Sequence, residues 1–131
     1  MDLHSRLLLD DNILIVTVHD PVTTEQRAAL TEAIDLLLGE HRPSALVISL
    51  GPAAGTAATV SAVLRTHRHC TDHGIPMAAA TPHPATRQLI QTNQSSLPVH
   101  THTDHALLTT RNLLRRRLPA ENSQDANAAE T

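Results

Sequence analysis

Four side chains that can bind a metal or react with an oxidant fall close together, namely His67, His69, Cys70 and His73. On a helix, the spacing of His69 and His73 puts two metal ligands on one face. A structural zinc site takes about four ligands, but His67 and Cys70 fall on different sides of that pair and the chain has no second cysteine. Solvated histidines and a small buried cysteine are the simpler interpretation. A metal- or redox-responsive sensor, with His69 and His73 as metal ligands, is the last of three hypotheses.

A threonine directly before a predicted helix is the next candidate for chemistry. Thr56 follows the loop Gly51–Gly55 and precedes the periodic apolar residues of a helix that starts at Ala57. At this position the hydroxyl can accept a backbone N–H and cap the helix. A phosphate on Thr56 would meet the positive end of the helix dipole. Helix capping and regulatory phosphorylation therefore both explain this residue, and the sequence leaves both open.

The sequence motifs that indicate catalysis are absent. There is no glycine-rich nucleotide loop, no Gly-x-Ser-x-Gly turn and no spaced pair of carboxylates flanking a histidine. We therefore expect no catalytic residues, no cofactor and no enzymatic activity.

Composition limits the domain count and the classes of ligand. A chain of 131 residues is long enough for one domain with its own core and too short for two. The aromatic fraction is 0%, which removes the rings on which single-stranded nucleic acid stacks. The single cysteine and the lack of a signal peptide or apolar membrane span predict a cytoplasmic protein that does not insert into membranes.

Charge separates the end of the chain from the rest. Of 13 acidic residues, three lie in 118–131 without a basic residue, so 10 acidic residues face 10 basic ones in 1–117. The short basic cluster Arg115–Arg117 suits the negative end of a helix and is too small to indicate nucleic-acid or membrane binding. We expect a domain over 1–117, followed by a disordered polar tail over 118–131.

Hydrophobic periodicity predicts strands that alternate with helices. Ala45–Leu50 is apolar almost throughout, as in a strand covered on both faces. Thr23–Leu38 instead shows the spacing of one apolar helix face, and Gly39 follows it as a helix C-cap would. The predicted elements are, in chain order, a hairpin of Leu7–Leu9 and Ile13–Val18, helix Thr23–Leu38, strand Ala45–Leu50, helix Ala57–Asp72, strand Ile75–Ala80, helix Pro84–Asn93, strand Leu97–His100 and helix Asp104–Arg117.

This alternation predicts an α/β fold with a mixed, mainly parallel sheet of about five strands and about four helices. The carboxyl ends of the parallel strands then meet at one edge, where binding sites form in such folds. We expect that edge to gather Asp20, Thr56, His83, His100 and His102, with His105 just beyond. A pH response of these histidines and a merely polar loop are both compatible with the pattern.

The order and lengths of the elements over 7–114 resemble those of the STAS domain of bacterial anti-sigma factor antagonists. The strand Ala45–Leu50, the helix within 56–73, the segment 74–78, the helix start at 84–90 and the closing segment 97–107 carry the resemblance. The resemblance implies a regulatory domain that binds a partner protein.

In that family a hydroxyl residue in the loop before the second helix takes phosphate from a kinase that is also the anti-sigma factor. The matching residue here is Thr56, but Gly55 replaces the Asp that usually precedes it. A second family Asp falls on Thr23, with Asp20 nearby as a stand-in. The partner-binding residues that the resemblance implies are Asp20, Thr23, Gly55, Thr56, Ala57, Thr59 and Val60.

The first hypothesis is therefore an anti-sigma factor antagonist that binds an anti-sigma factor with serine kinase activity through these loops and the exposed face of the second helix. The second is a STAS scaffold subunit of a signalling or lipid-transport complex. The binding of this subunit to its partners would not depend on phosphorylation. The missing Asp before Thr56 favours the second hypothesis. Nucleic acid is not an expected partner.

Overall fold

The computed structural model describes residues 3–94 and 96–130, and it describes side chains as far as residue 116. Within that part of the chain, no helix is long and apolar enough to cross a membrane. The elements are, in chain order, β1 (Leu3–Leu8), β2 (Ile13–Val18), α1 (Arg27–His41), β3 (Ala45–Leu50), α2 (Ala57–Asp72), β4 (Met77–Ala80), α3 (Pro84–Asn93), β5 (Val99–His100) and α4 (Thr103–Glu130).

The strands form one sheet in the order β1-β2-β3-β4-β5. β1 runs antiparallel to β2, and every other neighbouring pair is parallel. The α/β class and the mixed, mainly parallel sheet of five strands with four helices are thus confirmed.

The sheet is covered on both faces, which explains why its central strands are apolar throughout. Alternate residues of a strand point to opposite faces. Leu46 and Ile48 join the larger core cluster, to which α1, α2 and α3 contribute, whereas Ala45 and Val47 join a smaller one beneath Ala106 of α4. The described interior contains only aliphatic and sulfur-containing apolar side chains, so many close contacts between small groups replace the large area that aromatic rings would bury.

The turn between β1 and β2 anchors two distant segments. Asn12 has a left-handed backbone (φ 54°), and its side-chain amide donates to the carbonyl of Arg42 at 3.1 Å and to Ser44 Oγ at 3.2 Å. Next to it, Asp11 accepts a hydrogen bond of 2.7 Å from Arg111 Nε in α4. One short turn therefore joins the end of α1 and the middle of α4 to the sheet.

The first helix differs from its prediction at both ends. Thr23 and Gln26 bond reciprocally, side chain to backbone N–H, at 3.1 and 3.3 Å, and this capping arrangement precedes a helix that starts at Arg27. The prediction that Gly39 is the C-cap was wrong. The helix continues to His41, and Arg42 adopts the left-handed conformation (φ 46°) with its N–H on the Leu38 carbonyl.

The other predicted bounds agree for α2, α3, β2 and β3 and differ for the remaining elements. β1 starts earlier than Leu7, while β4 and β5 are shorter than predicted. α4 continues past Arg117 to Glu130. The division into a domain and a tail at residue 118 stays a prediction, because the side chains from 117 onward lie outside the described residues.

Candidate functional site

Two loops at the carboxyl edge of the sheet are bonded to each other. The backbone N–H of Gly51, which follows β3, donates to the carbonyl of Val18 at the end of β2 at 2.9 Å. Further along the same two loops, Thr56 Oγ1 donates to the carbonyl of Val22 at 2.7 Å. The β2–α1 loop and the β3–α2 loop are therefore one connected surface.

Thr56 is the N-cap of α2, as its position in the sequence predicts. Its half-buried hydroxyl accepts the N–H of Thr59 at 3.2 Å and lies 2.9 Å from Thr59 Oγ1. Because the same oxygen also donates to Val22, it takes part in three contacts. A phosphate on Thr56 would remove the proton that Val22 accepts, although the helix N-terminus would favour its charge.

The space beside Gly55 is filled by Thr86 of α3. A Cβ atom on residue 55 would collide with Oγ1 of Thr86 and would lie 3.4 Å from its Cβ. Thr86 is 2% exposed, and its hydroxyl is 3.0 Å from Nδ1 of His83, the N-cap of α3. Gly55 therefore matches its neighbours, and an Asp here would need Thr86 to move.

The other residues implied by the resemblance fall into two groups. Asp20, Thr23 and Ala57 are exposed around Thr56. Thr59 is fully buried and Val60 is 3% exposed, because both face the core from the first turns of α2. We therefore leave these two residues out of the surface proposed below.

The His/Cys segment of α2 is divided between surface and interior. The rings of His69 and His73 stack at 4.2 Å, and His73 Nδ1 lies 2.8 Å from the His69 carbonyl oxygen. His67 is 8% exposed and Cys70 is fully buried. Burial lowers the pKa of His67, whereas burial and then the nearby Asp35 carboxylate raise the pKa of Cys70 to about 12. Among the described residues, no three His, Cys, Asp or Glu side chains are placed to hold a metal ion.

The histidines of the β5–α4 connection form local contacts. His100 Nε2 lies 2.8 Å from Thr109 Oγ1, and burial, followed by the nearby His105, lowers the pKa of His100. The ring of His105 packs edge-on against those of His100 and His102. His83 instead caps α3.

Two residues at this edge, Val22 and Thr86, carry no signal in the sequence. Val22 acts through its backbone carbonyl, which leaves no trace in the residue type. Thr86 stands three residues after a His-Pro helix start, and that position alone does not reveal that its hydroxyl faces residue 55. Only the packing of α3 beside α2 brings the two together.

No protein-family model and no curated protein matches this sequence. Solved structures do match. The chain is similar to a variant of RsbS from Moorella thermoacetica, with a TM-score of 0.71 and 13% identity over 88% of this chain and 99% of the other. It is also similar to an anti-sigma factor antagonist from Mycobacterium paratuberculosis, with a TM-score of 0.66 and 21% identity over 84% and 95% of the two chains.

The chain has the STAS fold. The likeness covers nearly the whole length of both solved structures, so the resemblance found in the sequence is confirmed at the level of fold. Within this STAS fold, the connected loops around Thr56 form the candidate site.

Proposed function

We propose that the protein is an anti-sigma factor antagonist, which binds an anti-sigma factor with serine kinase activity and so controls sigma-factor-dependent transcription in the bacterial cytoplasm. The observation that supports this proposal most is the similarity of the fold to that of a known anti-sigma factor antagonist over 84% of the chain. The proposed role is binding, without catalysis by this chain.

The docking surface that we propose consists of Asp20, Thr23, Gly55 and Ala57 around Thr56, all but Thr56 exposed. Its two loops are held together by the bonds from Gly51 to Val18 and from Thr56 to Val22. A surface that is already ordered loses little entropy on association, which favours binding.

The test is a calorimetric titration of the full chain with purified anti-sigma factors encoded by the same genome. Asp20→Arg should weaken binding by about tenfold or more, since a charge reversal inside an interface turns attraction into repulsion. Asp10→Arg is the matched control, because Asp10 is exposed in the turn between β1 and β2, at the edge of the sheet opposite the docking surface. The proposal fails when no anti-sigma factor binds the parent chain, or when both variants bind as the parent does.

A second candidate function keeps this docking surface without a phosphate switch, as in a STAS scaffold subunit of a signalling or lipid-transport complex. Two observations favour it. The Thr56 hydroxyl is already engaged with Val22 and Thr59, and Thr86 occupies the space next to Gly55 in which an Asp would lie.

Comparison of Thr56→Asp with Thr56→Asn separates the two functions. Both side chains are good helix N-caps, so the pair differs chiefly in charge. A phosphate-regulated antagonist should bind the anti-sigma factor at least about tenfold more weakly as the Asp variant. Equal affinity of the two variants, with no phosphate on Thr56 by mass spectrometry after incubation with the kinase and ATP, would exclude the phosphate switch and favour the second candidate function.

A further inference from the structure

A groove of about 540 Å³ lies between α2 and α3 and starts at Ala57, next to the loops just described. Its α2 side follows one helix face from Ala57 through Leu64 to Arg68, a length of about 16 Å, or three helical turns. Leu89 on α3 closes the other side and is 42% exposed, one of the few large apolar side chains that the described surface exposes. The floor of the groove is therefore partly apolar.

Three arginines line this groove, namely Arg27, Arg65 and Arg68. All three are exposed, and no carboxylate among the lining residues faces them. The ion pair between Arg111 and Asp11 involves α4, which packs on the other face of the sheet. Three positive charges thus line the groove with no carboxylate among its lining residues, although the acidic and basic residues of 1–117 are equal in number, 10 and 10.

Two helix ends add to the positive potential. α1 begins at Arg27 and α2 begins at Ala57, and both residues line the groove. Neither helix has an acidic residue in its first turn, so no carboxylate of the first turn offsets the positive end of either dipole. The groove therefore combines an apolar strip of helical length with a rim and one end that favour anions.

We propose that this groove binds an acidic amphipathic helix of the protein partner, whose apolar side chains contact Leu64 and Leu89 and whose carboxylates pair with Arg27, Arg65 and Arg68. Guanidinium groups recognise carboxylates through paired hydrogen bonds. An apolar groove between two helices commonly binds an amphipathic helix of a partner. The proposal rests on the proposed function, since it assigns to the antagonist's partner a second contact beside the Thr56 loops.

The direct test uses a synthetic three-turn peptide with leucines on one face and glutamates on both flanks. Titrated into the ¹⁵N-labelled full chain, it should shift the backbone signals of α2 and α3, and its affinity should fall as salt rises from about 0.05 M to about 0.5 M. The same peptide with lysine in place of glutamate should not bind. Absence of shifts with the acidic peptide, or equal binding of the lysine peptide, would overturn the proposal.

Charge reversal identifies the residues. Arg65→Glu with Arg68→Glu should weaken peptide binding by about tenfold or more, whereas Arg115→Glu with Arg116→Glu, the same change on exposed residues of α4, should leave it unchanged. Equal loss in both double variants would mean a non-specific charge effect and would overturn the proposal. The proposal would also be overturned if the Arg65→Glu, Arg68→Glu variant still bound the peptide but no longer bound phosphatidylglycerol vesicles that the parent chain binds. The arginines of the groove would then serve a membrane surface.

The same variants separate this proposal from the proposed function. If an anti-sigma factor binds the parent chain and the Arg65→Glu, Arg68→Glu variant equally well, the groove proposal fails and the proposed function stands. If no anti-sigma factor binds while the acidic peptide does so in the groove, the proposed function fails and the acidic helix belongs to another protein.

Discussion

Thr86 occupies the space that a side chain on Gly55 would need, and its Oγ1 would collide with a Cβ at that position. The two residues belong to different segments, the β3–α2 loop and the first turn of α3. The bond between Thr86 and His83 Nδ1 at 3.0 Å holds the hydroxyl in this place. The glycine and the threonine therefore form a matched pair, which gives a physical reason for the absence of an Asp before Thr56.

We predict that Gly55→Asp destabilises the domain by about 1 to 3 kcal/mol, the usual cost of overpacking. Adding Thr86→Ala should recover most of this loss, because it removes the colliding atom. Thermal and urea unfolding followed by far-ultraviolet circular dichroism measure both variants, and a double-mutant cycle gives the coupling. Strictly additive effects would show that the two side chains do not compete for space.

Gly39 offers the matched control, since nothing lies within 4 Å of the place where its Cβ would be and it lies inside α1. Gly39→Ala should raise the free energy of unfolding by about 0.5 to 1 kcal/mol, through reduced backbone entropy.

Removal of the α2 cap should be costly independently of any phosphate. Thr56→Ala loses the acceptor for the Thr59 N–H and the donor to the Val22 carbonyl, so we expect a loss of about 1 to 2 kcal/mol. Thr56→Asn keeps an acceptor and should retain most of the stability. Urea unfolding checks both, and an Ala variant as stable as the parent would contradict the role of Thr56 as a cap.

Stability should fall in mild acid because of His67. Burial lowers its pKa below the ordinary 6.5, and its Nδ1 has no hydrogen-bond partner among the described residues. In mild acid the unfolded chain then binds more protons than the folded one. The contribution of His67 to the free energy of unfolding is therefore fully present above about pH 6.5 and is lost as the pH falls toward the pKa of His67 in the folded chain. His100, whose pKa is lowered too, acts in the same direction.

Urea unfolding between about pH 7.5 and about pH 5 measures this slope. His67→Gln should flatten it. The adjacent buried Thr66 provides a control that does not titrate, and Thr66→Val should keep the slope of the parent. An unchanged slope in His67→Gln would show that the imidazole is charged in the folded state as readily as in the unfolded chain.

Cys70 should be inert in the folded protein. With its pKa raised to about 12 by burial and the nearby Asp35, almost no thiolate exists at neutral pH, and the thiolate is the reactive form. We expect alkylation by iodoacetamide to be at least about a hundredfold slower than in the urea-unfolded chain. Comparable rates in the two states would return the redox-sensor hypothesis to consideration.

The sequence predicted the elements whose signals are local. Thr56 before a periodic apolar segment identified the start of α2, and Pro84 identified the start of α3. Leu97 and Pro98 had the composition of a strand, but β5 contains only Val99 and His100, because pairing with the short β4 sets its length. The residue that follows α1, Arg42, is bound through its carbonyl by Asn12, which is 30 residues away in the sequence.

In the candidate site, too, the sequence reveals local features but not contacts between residues that are distant in the chain. The position of Thr56 could be predicted, but its bond to the Val22 carbonyl could not, because any residue at 22 has a carbonyl. The arginines at 65 and 68 are one turn apart in the sequence, whereas Arg27 joins them only through the packing of α1 on α2. Convergence of this kind depends on tertiary structure and has no signature in the spacing of residues.

The aliphatic interior has a practical consequence for the study of complexes. A chain without Phe, Tyr or Trp has no intrinsic tryptophan or tyrosine fluorescence. In a mixture with a partner that contains tryptophan, all of the emitted light comes from the partner, even with this chain in large excess. Any change of that emission on titration therefore reports a change in the surroundings of the partner's own tryptophans.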